Sequence, residues 1–264
     1  MISTIHAVFG YIKHSVTAQS KYRLHSPFAY RFYQEVIRNG IDFPQYHMVE
    51  KVRYDLISHS RFIKRRDLGA GAKEIPNDQR FVRVKDITRR WSVSAPKGQF
   101  LFRLAKDLQP RTILELGTAF GISTLYLASG APASHLISIE GCLDSAHLAK
   151  NNFEKTGMKN ITVLPGSFDN NLPLVWSQID SLDLVFFDGP RRKEPTLRYF
   201  HECLQHIHPG TVFVFDDIHA SAEMESAWRE IKIDPRVKVS IDLFYMGVVF
   251  FKEELSKEDY KLTF

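Results

Sequence analysis

The sequence predicts an α/β fold: a doubly wound, mostly parallel seven-stranded sheet with an antiparallel C-terminal strand pair and an N-terminal helical cap. Three observations predict it. From about residue 99, short apolar runs alternate with amphipathic helical stretches, the pattern of a parallel sheet covered on both faces. Runs such as "LDLVFF" are close to continuously apolar, which suits strands buried on both faces. The last two apolar runs, "VKVSIDL" and "YMGVVFFK", have no helix between them and should pair antiparallel.

Each element follows from its own signals. "TIHAVFGYIKHSV" carries apolar residues at helical spacing. "SPFAYRFYQEVIRNG" opens with Ser26 as N-cap and Pro27 at the first helical position, and Gly40 stops it. "QYHMVEKVRYDLISHS" is a third helix, and "KRRDLGAGAKEIPNDQR" is a loop by its charge, Gly, Pro and Asn. Residues 1–90 therefore read as a helical cap with a basic loop, and residues 91–264 as a second domain. In that domain "RTILEL" is a strand and "ISTLYLASG" a helix ending at Gly130; "HLISIE" is a strand and "LDSAHLAKNNFEKTG" a helix stopped by Gly157. "ITVLPG", "DLVFFDG" and "TVFVFDD" are strands, and "PTLRYFHECLQHIHPG" and "AEMESAWREI" are helices.

Composition narrows the function classes. The chain has 264 residues, 44% hydrophobic and 25% charged, which fits a soluble globular protein with a real core. Its two cysteines, Cys142 and Cys203, imply no disulfide framework, and a cytoplasmic protein is the expectation. No signal peptide is read in the N-terminal stretch, and no apolar run is long enough to span a bilayer. The net charge is +5, and Lys51 to Arg111 holds 16 Lys/Arg against 6 Asp/Glu, a local surplus of about ten. That run is either a solvated basic face or a surface for an anionic partner such as nucleic acid.

Two stretches compete as a ligand-cradling loop: "DLGAGAK" (67–73) and "ILELGTAFGIS" (113–123). Such a loop must leave a buried strand at its carboxyl end and turn into a helix whose N-terminal N–H groups are open. Only the second has that context; the first follows Lys and Arg and meets Pro76 too soon. The second is not a dinucleotide fingerprint, because Ala119 stands where a glycine is required. Glu115 in the turn would repel phosphate but can pair with an ammonium, and Glu140 at the end of the next strand can accept from ribose hydroxyls. S-adenosylmethionine (SAM), an aminoacyl nucleoside without phosphate, satisfies both.

From about residue 91 to 251 the chain resembles a class I SAM-dependent methyltransferase of the catechol O-methyltransferase-like group, a Rossmann-like methyltransferase fold. "SVSAPKGQFLFRLAKDLQPRTILELGTAFGIS" is similar to that group's cofactor entry segment and first motif. "ISIEG" is similar to its second, "LPGSFD" to the adenine-flanking segment, and "LVFFDGPRRKEPTLRYF" with "HPGTVFVFDDI" to its two acidic motifs. The resemblance implies that 91–264 is a SAM-binding methyltransferase domain. It places the methionine end of SAM at Ser92, Val93, Glu115, Gly117, Thr118, Ala119, Gly121 and Ser123. The ribose falls to Glu140 and Gly141, and the adenine to Gly166, Ser167, Phe168 and Asp169.

The same resemblance implies a Mg2+ or other divalent cation on Asp188, Asp216 and Asp217, with Asp188 also at the cofactor and in catalysis. Asp217 stands where an Asn is typical, and Arg191 where metal-dependent members carry a basic Lys. Arginine cannot deprotonate at neutral pH, so Arg191 is expected to stabilise an oxyanion or clamp an anionic substrate group. Lys193 and His219 are the alternative bases. The expected activity is O-methylation of a small-molecule acceptor. An RNA (tRNA) methyltransferase using the basic 51–111 segment ranks second, and a non-catalytic scaffold third. A homodimer stays open. "DLGAGAK" reads either as a mobile basic loop at the substrate mouth, with Gly69 and Gly71 as hinges and Arg65, Arg66 and Lys73 on an anionic acceptor, or as a plain surface connection.

Overall fold

A computed structural model describes residues 4–19, 24–58, 60–65 and 80–264. The "DLGAGAK" loop, with Arg66 and Lys73, lies outside the described residues. The chain divides into two compact units, Met1–Gln34 with Asp180–Phe264, and Glu35–Ile179. Eight strands form one mostly parallel sheet rather than seven, and two more form a separate ribbon.

The chain begins with α1 (Thr4–Thr17) and α2 (Pro27–Phe32), which runs into a π-helical turn at Tyr33–Ile37. Ser26 caps α2 by accepting from the Ala29 N–H, and Pro27 takes the first turn, as the sequence dictates.

The unit Glu35–Ile179 starts with α3 (Pro44–Ser58), then β1 (Phe62–Arg65) and β2 (Arg80–Arg83), paired antiparallel. This ribbon takes in Lys64, Arg65 and Arg80 at the ends of the stretch read as loop, whose residues 66–79 lie outside the described residues. Charged residues make poor central strands, but a two-stranded ribbon has solvent along its edges. Next come α4 (Val84–Trp91), α5 (Ala95–Leu108), β3 (Thr112–Leu116), α6 (Ile122–Gly130), β4 (His135–Glu140), α7 (Leu143–Thr156), β5 (Ile161–Pro165) and α8 (Phe168–Trp176). Strands β3, β4 and β5 are parallel neighbours in that order. Helix α6 is buried at every residue. It lies against α5 so closely that a Cβ on Gly130 would come within 2.4 Å of the Phe102 carbonyl oxygen. The buried guanidinium of Arg103 on α5 donates to the carbonyls of Val36 (2.7 Å) and Ile37 (3.1 Å), satisfying the end of the π-helical turn.

The other unit continues with β6 (Leu182–Phe187), α9 (Lys193–Cys203), β7 (Ile207–Asp216), α10 (Ala222–Ile233), β8 (Val239–Asp242), β9 (Met246–Phe250) and β10 (Glu258–Lys261). Its strands run in the order β10-β8-β9-β7-β6. The pairs β6–β7 and β10–β8 are parallel, and β9 is antiparallel to both β7 and β8. Strand β10 is the eighth strand; its sequence "EDYK" has no apolar run to announce it. Phe213, Phe215, Phe186 and Trp228 fill this core. Phe28 and Phe32 of α2 meet Phe250 edge-on at 5.0 and 5.2 Å.

Candidate active site

The unit Glu35–Ile179 carries the loop for which the sequence suggests a cofactor role. Beyond β3 the backbone takes positive φ at Gly117 (111°), Ala119 (46°) and Gly121 (84°). Three such residues within five positions coil the chain tightly back on itself. The Gly117 N–H donates to the Ile139 carbonyl at 3.0 Å, and the Gly121 N–H to the Thr118 carbonyl at 2.8 Å. Gly121 is also the N-cap of α6, so the open N–H groups of that helix start at the loop. A Cβ there would stand 2.4 Å from the Phe153 ring, so only glycine fits.

Glu115 is fully buried on β3. Its Oε2 accepts from the hydroxyls of Thr124 (2.5 Å) and Ser138 (2.6 Å). Its Oε1 is buried and has no hydrogen-bond partner among the described residues. Burial pushes the Glu115 carboxyl up, against the hydroxyls of Ser123, Ser138 and Thr124 that favour its charge; the nearby charge of Glu140 adds to the rise. A buried acceptor without a donor is an expensive feature to keep. It suits a site that receives a donor from outside the chain.

Glu140 ties the loops together. Its Oε2 accepts from the Ala119 N–H at 2.7 Å and its Oε1 from the Cys142 N–H, across Gly141, at 2.8 Å. Its backbone carbonyl takes the N–H of Gly166 at 2.8 Å, where φ is 127°. A carboxylate has about four acceptor sites, so two N–H donors leave the ribose role compatible with this geometry. Ser167 caps α8 by accepting from the Asn170 N–H at 3.3 Å. Phe168 is half-buried rather than core, and Asp169 is exposed. Ser92 ends α4 and Val93 beside it is buried. Thus Glu115, Thr118, Ala119, Glu140 and Gly166 are joined by direct hydrogen bonds or through Ser138, whereas Ser92 and Val93 sit at the α4–α5 junction.

The acidic cluster belongs to the other unit. In the parallel β6–β7 pair Phe187 is opposite Phe215, so Asp188 and Asp216 follow side by side at the carboxyl ends. Asp217 has φ 53°; its N–H donates to the Tyr245 carbonyl at 2.7 Å, and its carbonyl accepts the Ala220 N–H at 2.9 Å. Arg191 reaches the cluster: its Nη2 lies 2.7 Å from Asp217 Oδ2. Burial disfavours that charge, but the carboxylates of Asp217, Asp188 and Asp216 outweigh it and raise the Arg191 pKa. Lys193 instead pairs with Glu230 on α10 at 2.5 Å.

His219 has a different setting from the one expected. Its Nε2 is 2.9 Å from Asp242 Oδ2 and its Nδ1 is 3.4 Å from Glu225 Oε1. Burial lowers its pKa, but Asp242 and Glu225 raise it further than burial lowers it. Flanked by carboxylates at both nitrogens, the ring has its protonated form favoured. Asp242 also meets His14 Nε2 at 3.1 Å and accepts the Phe244 N–H at 2.9 Å. Burial pushes the Asp242 carboxyl up, yet hydrogen bonds from His14, His219 and Phe244 hold it well below the usual carboxylate range.

Residues 114–218 match the model of a family described as a methyltransferase domain. A catechol O-methyltransferase from Niastella koreensis is 35% identical over 130 residues, covering 48% of this chain and 58% of that relative. One from Mycobacterium tuberculosis is 34% identical over 131 residues, covering 49% and 58%. The O-methyltransferase TomG from Streptomyces achromogenes, solved in complex with SAM, superposes with a TM-score of 0.52 at 25% identity, over 61% of this chain and 82% of that one. Residues 114–218 thus match a methyltransferase domain, and the chain is similar to catechol O-methyltransferases over about half its length. The chain spans 58% of the length of each of these two curated relatives. No helix among the described residues is long and apolar enough to cross a membrane.

Within and around the methyltransferase domain, sequence reasoning missed the residues that hold the expected ones in place. Ser138 and Thr124 fix Glu115, and Asp242, His14 and Glu225 surround His219. A signal existed for two of them. Ser138 interrupts the apolar "LISI" and Asp242 interrupts "VSIDL", and a polar residue inside a buried strand needs a partner.

Proposed function

We propose that this chain is a SAM-dependent O-methyltransferase that transfers a methyl group to a hydroxyl of a small-molecule acceptor. One observation carries the reading. The methyltransferase match runs from 114 to 218, so it starts one residue before Glu115 and ends one residue after Asp217, taking in the cofactor loop and the acidic cluster alike. The names of the similar proteins support O-methylation.

The cofactor residues fit an aminoacyl nucleoside. The buried, unpartnered Glu115 Oε1 calls for a donor, and the coiled loop brings bare backbone where a ligand needs close approach. Bound SAM supplies a methyl group made electrophilic by its sulfonium. In this reading the loop from Gly117 to Gly121, with Thr118, Ser123, Ser92 and Val93, holds the methionine end. Glu140 and Gly141 hold the ribose, and Gly166, Ser167, Phe168 and Asp169 flank the adenine. Asp188 accepts the hydrogen of the acceptor hydroxyl and draws it off as the oxygen becomes nucleophilic. The charge of Arg191 stabilises the oxyanion that develops. Neither His219 nor Lys193 serves as base in this reading, the first being held between Asp242 and Glu225 and the second paired with Glu230.

A divalent cation forms no part of this reading, because the donor set does not fit one. Asp217 already binds a guanidinium, and no group of three His, Cys, Asp or Glu among the described residues is arranged to hold a metal ion. The test is methyl transfer from SAM carrying a labelled methyl group to a panel of catechols and other phenols. Transfer to at least one is expected, falling about 10²- to 10⁴-fold in kcat with Asp188→Asn. Label that never leaves SAM, with cofactor binding intact, would refute the acceptor class.

A further inference from the structure

We propose that Arg191 fills the cation position of the Asp188–Asp216–Asp217 cluster, so that the site works with a fixed guanidinium and takes no divalent ion. Two departures from the family pattern, an arginine at 191 and an aspartate at 217, meet in space. Arg191 Nη2 lies 2.7 Å from Asp217 Oδ2. Each is intelligible only with the other. The aspartate adds a negative charge at a strand end that already has Asp188 and Asp216 side by side. The arginine adds a positive charge that no accessible pH removes.

The backbone holds the pair in register. Asp217 is kept at φ 53° by its N–H on the Tyr245 carbonyl and its carbonyl on the Ala220 N–H, at 2.7 and 2.9 Å. A non-glycine residue in that conformation is unfavourable unless its surroundings fix it. Thr196 on α9, whose hydroxyl donates to the Pro190 carbonyl at 3.1 Å, anchors the segment that carries Arg191. A divalent ion on the same oxygens would have to sit within a few ångströms of the guanidinium, where like charges repel strongly. The rise in the Arg191 pKa caused by all three carboxylates agrees with this placement.

The catalytic meaning of this assignment rests on the methyltransferase reading, but its test does not. Mn2+ binding is followed by the loss of the free-ion paramagnetic resonance signal, in the wild type, Arg191→Met and Arg191→Met/Asp188→Asn. The wild type should show no saturable site. Arg191→Met should gain affinity about tenfold or more, and the added Asp188→Asn should abolish the gain. Saturable Mn2+ binding by the wild type that is lost in Asp217→Asn would overturn the proposal, and so would a folded Arg191→Met with no gain. SAM titration of the same samples reports separately on the cofactor reading, so the two can fail independently.

Discussion

Replacing Gly121 by alanine tests the cofactor loop and can be worked through from its geometry. The residue has φ 84°, and an added Cβ would stand 2.4 Å from the Phe153 ring and 3.4 Å from the Ala149 Cβ. The left-handed backbone costs an L-residue about 1–2 kcal/mol. Overpacking against a buried ring adds about 1–3 kcal/mol. Gly121→Ala should therefore destabilise by about 2–5 kcal/mol, whereas Gly157→Ala, at φ 69° with nothing within 4 Å, should lose only the conformational part. Urea unfolding of both variants measures the difference directly. Adding Phe153→Leu to Gly121→Ala should recover part of the packing cost but none of the backbone cost. SAM affinity should fall in Gly121→Ala and hold in Gly157→Ala, which caps the far end of α7. Equal destabilisation by the two glycine replacements would refute the claim that Phe153 closes the loop.

The other predictions follow from single contacts. Asp242→Asn should cost about 2–3 kcal/mol, less than a fully buried pair because the His219 side chain keeps 22% exposure. The depressed carboxyl of Asp242 stabilises the fold above about pH 3.9, and this is lost as pH falls through its folded value; the raised imidazole of His219 stabilises below about pH 6.5, and this is lost as pH rises through its folded value. Thermal melts across pH should thus show the wild type's advantage over Asp242→Asn greatest between those limits; an advantage that does not change with pH would contradict the cluster's charge state. Glu140→Ala should weaken SAM binding about 10- to 100-fold, since it removes a charged acceptor and the tether of Ala119; an unchanged Kd would remove Glu140 from the ribose. Lys193→Met should leave kcat alone and cost under about 1 kcal/mol, its partner Glu230 being 45% exposed. A drop in kcat comparable to that of Asp188→Asn would restore Lys193 as base.

Strands β3 to β9 and helices α6, α7, α9 and α10 were legible because long apolar runs and Gly stops speak through local physics. Strand β10 was not. Its pairing with β8 is set by tertiary contact, and "EDYK" shows only Tyr260 to the core. The ribbon of β1 and β2 escaped for a related reason: Lys64 and Arg83 look like loop residues until each has a strand opposite it. At the site, the positions of Glu115 and Glu140 near strand ends were legible. The contacts that hold them were not, since Thr124, Ser138 and the N–H groups of Ala119 and Cys142 reach them only in the folded chain. His219 shows the limit most sharply. Its place after the acidic pair made it a candidate base, and two carboxylates, one distant in sequence and one on the next helix, flank its ring in the folded chain.

Calorimetric titration of the protein with SAM and with S-adenosylhomocysteine, with and without Mg2+, tests the central claim most directly. The account predicts saturable binding of both ligands, with the same affinity in the presence and absence of Mg2+. Failure of either ligand to bind the folded protein would contradict it.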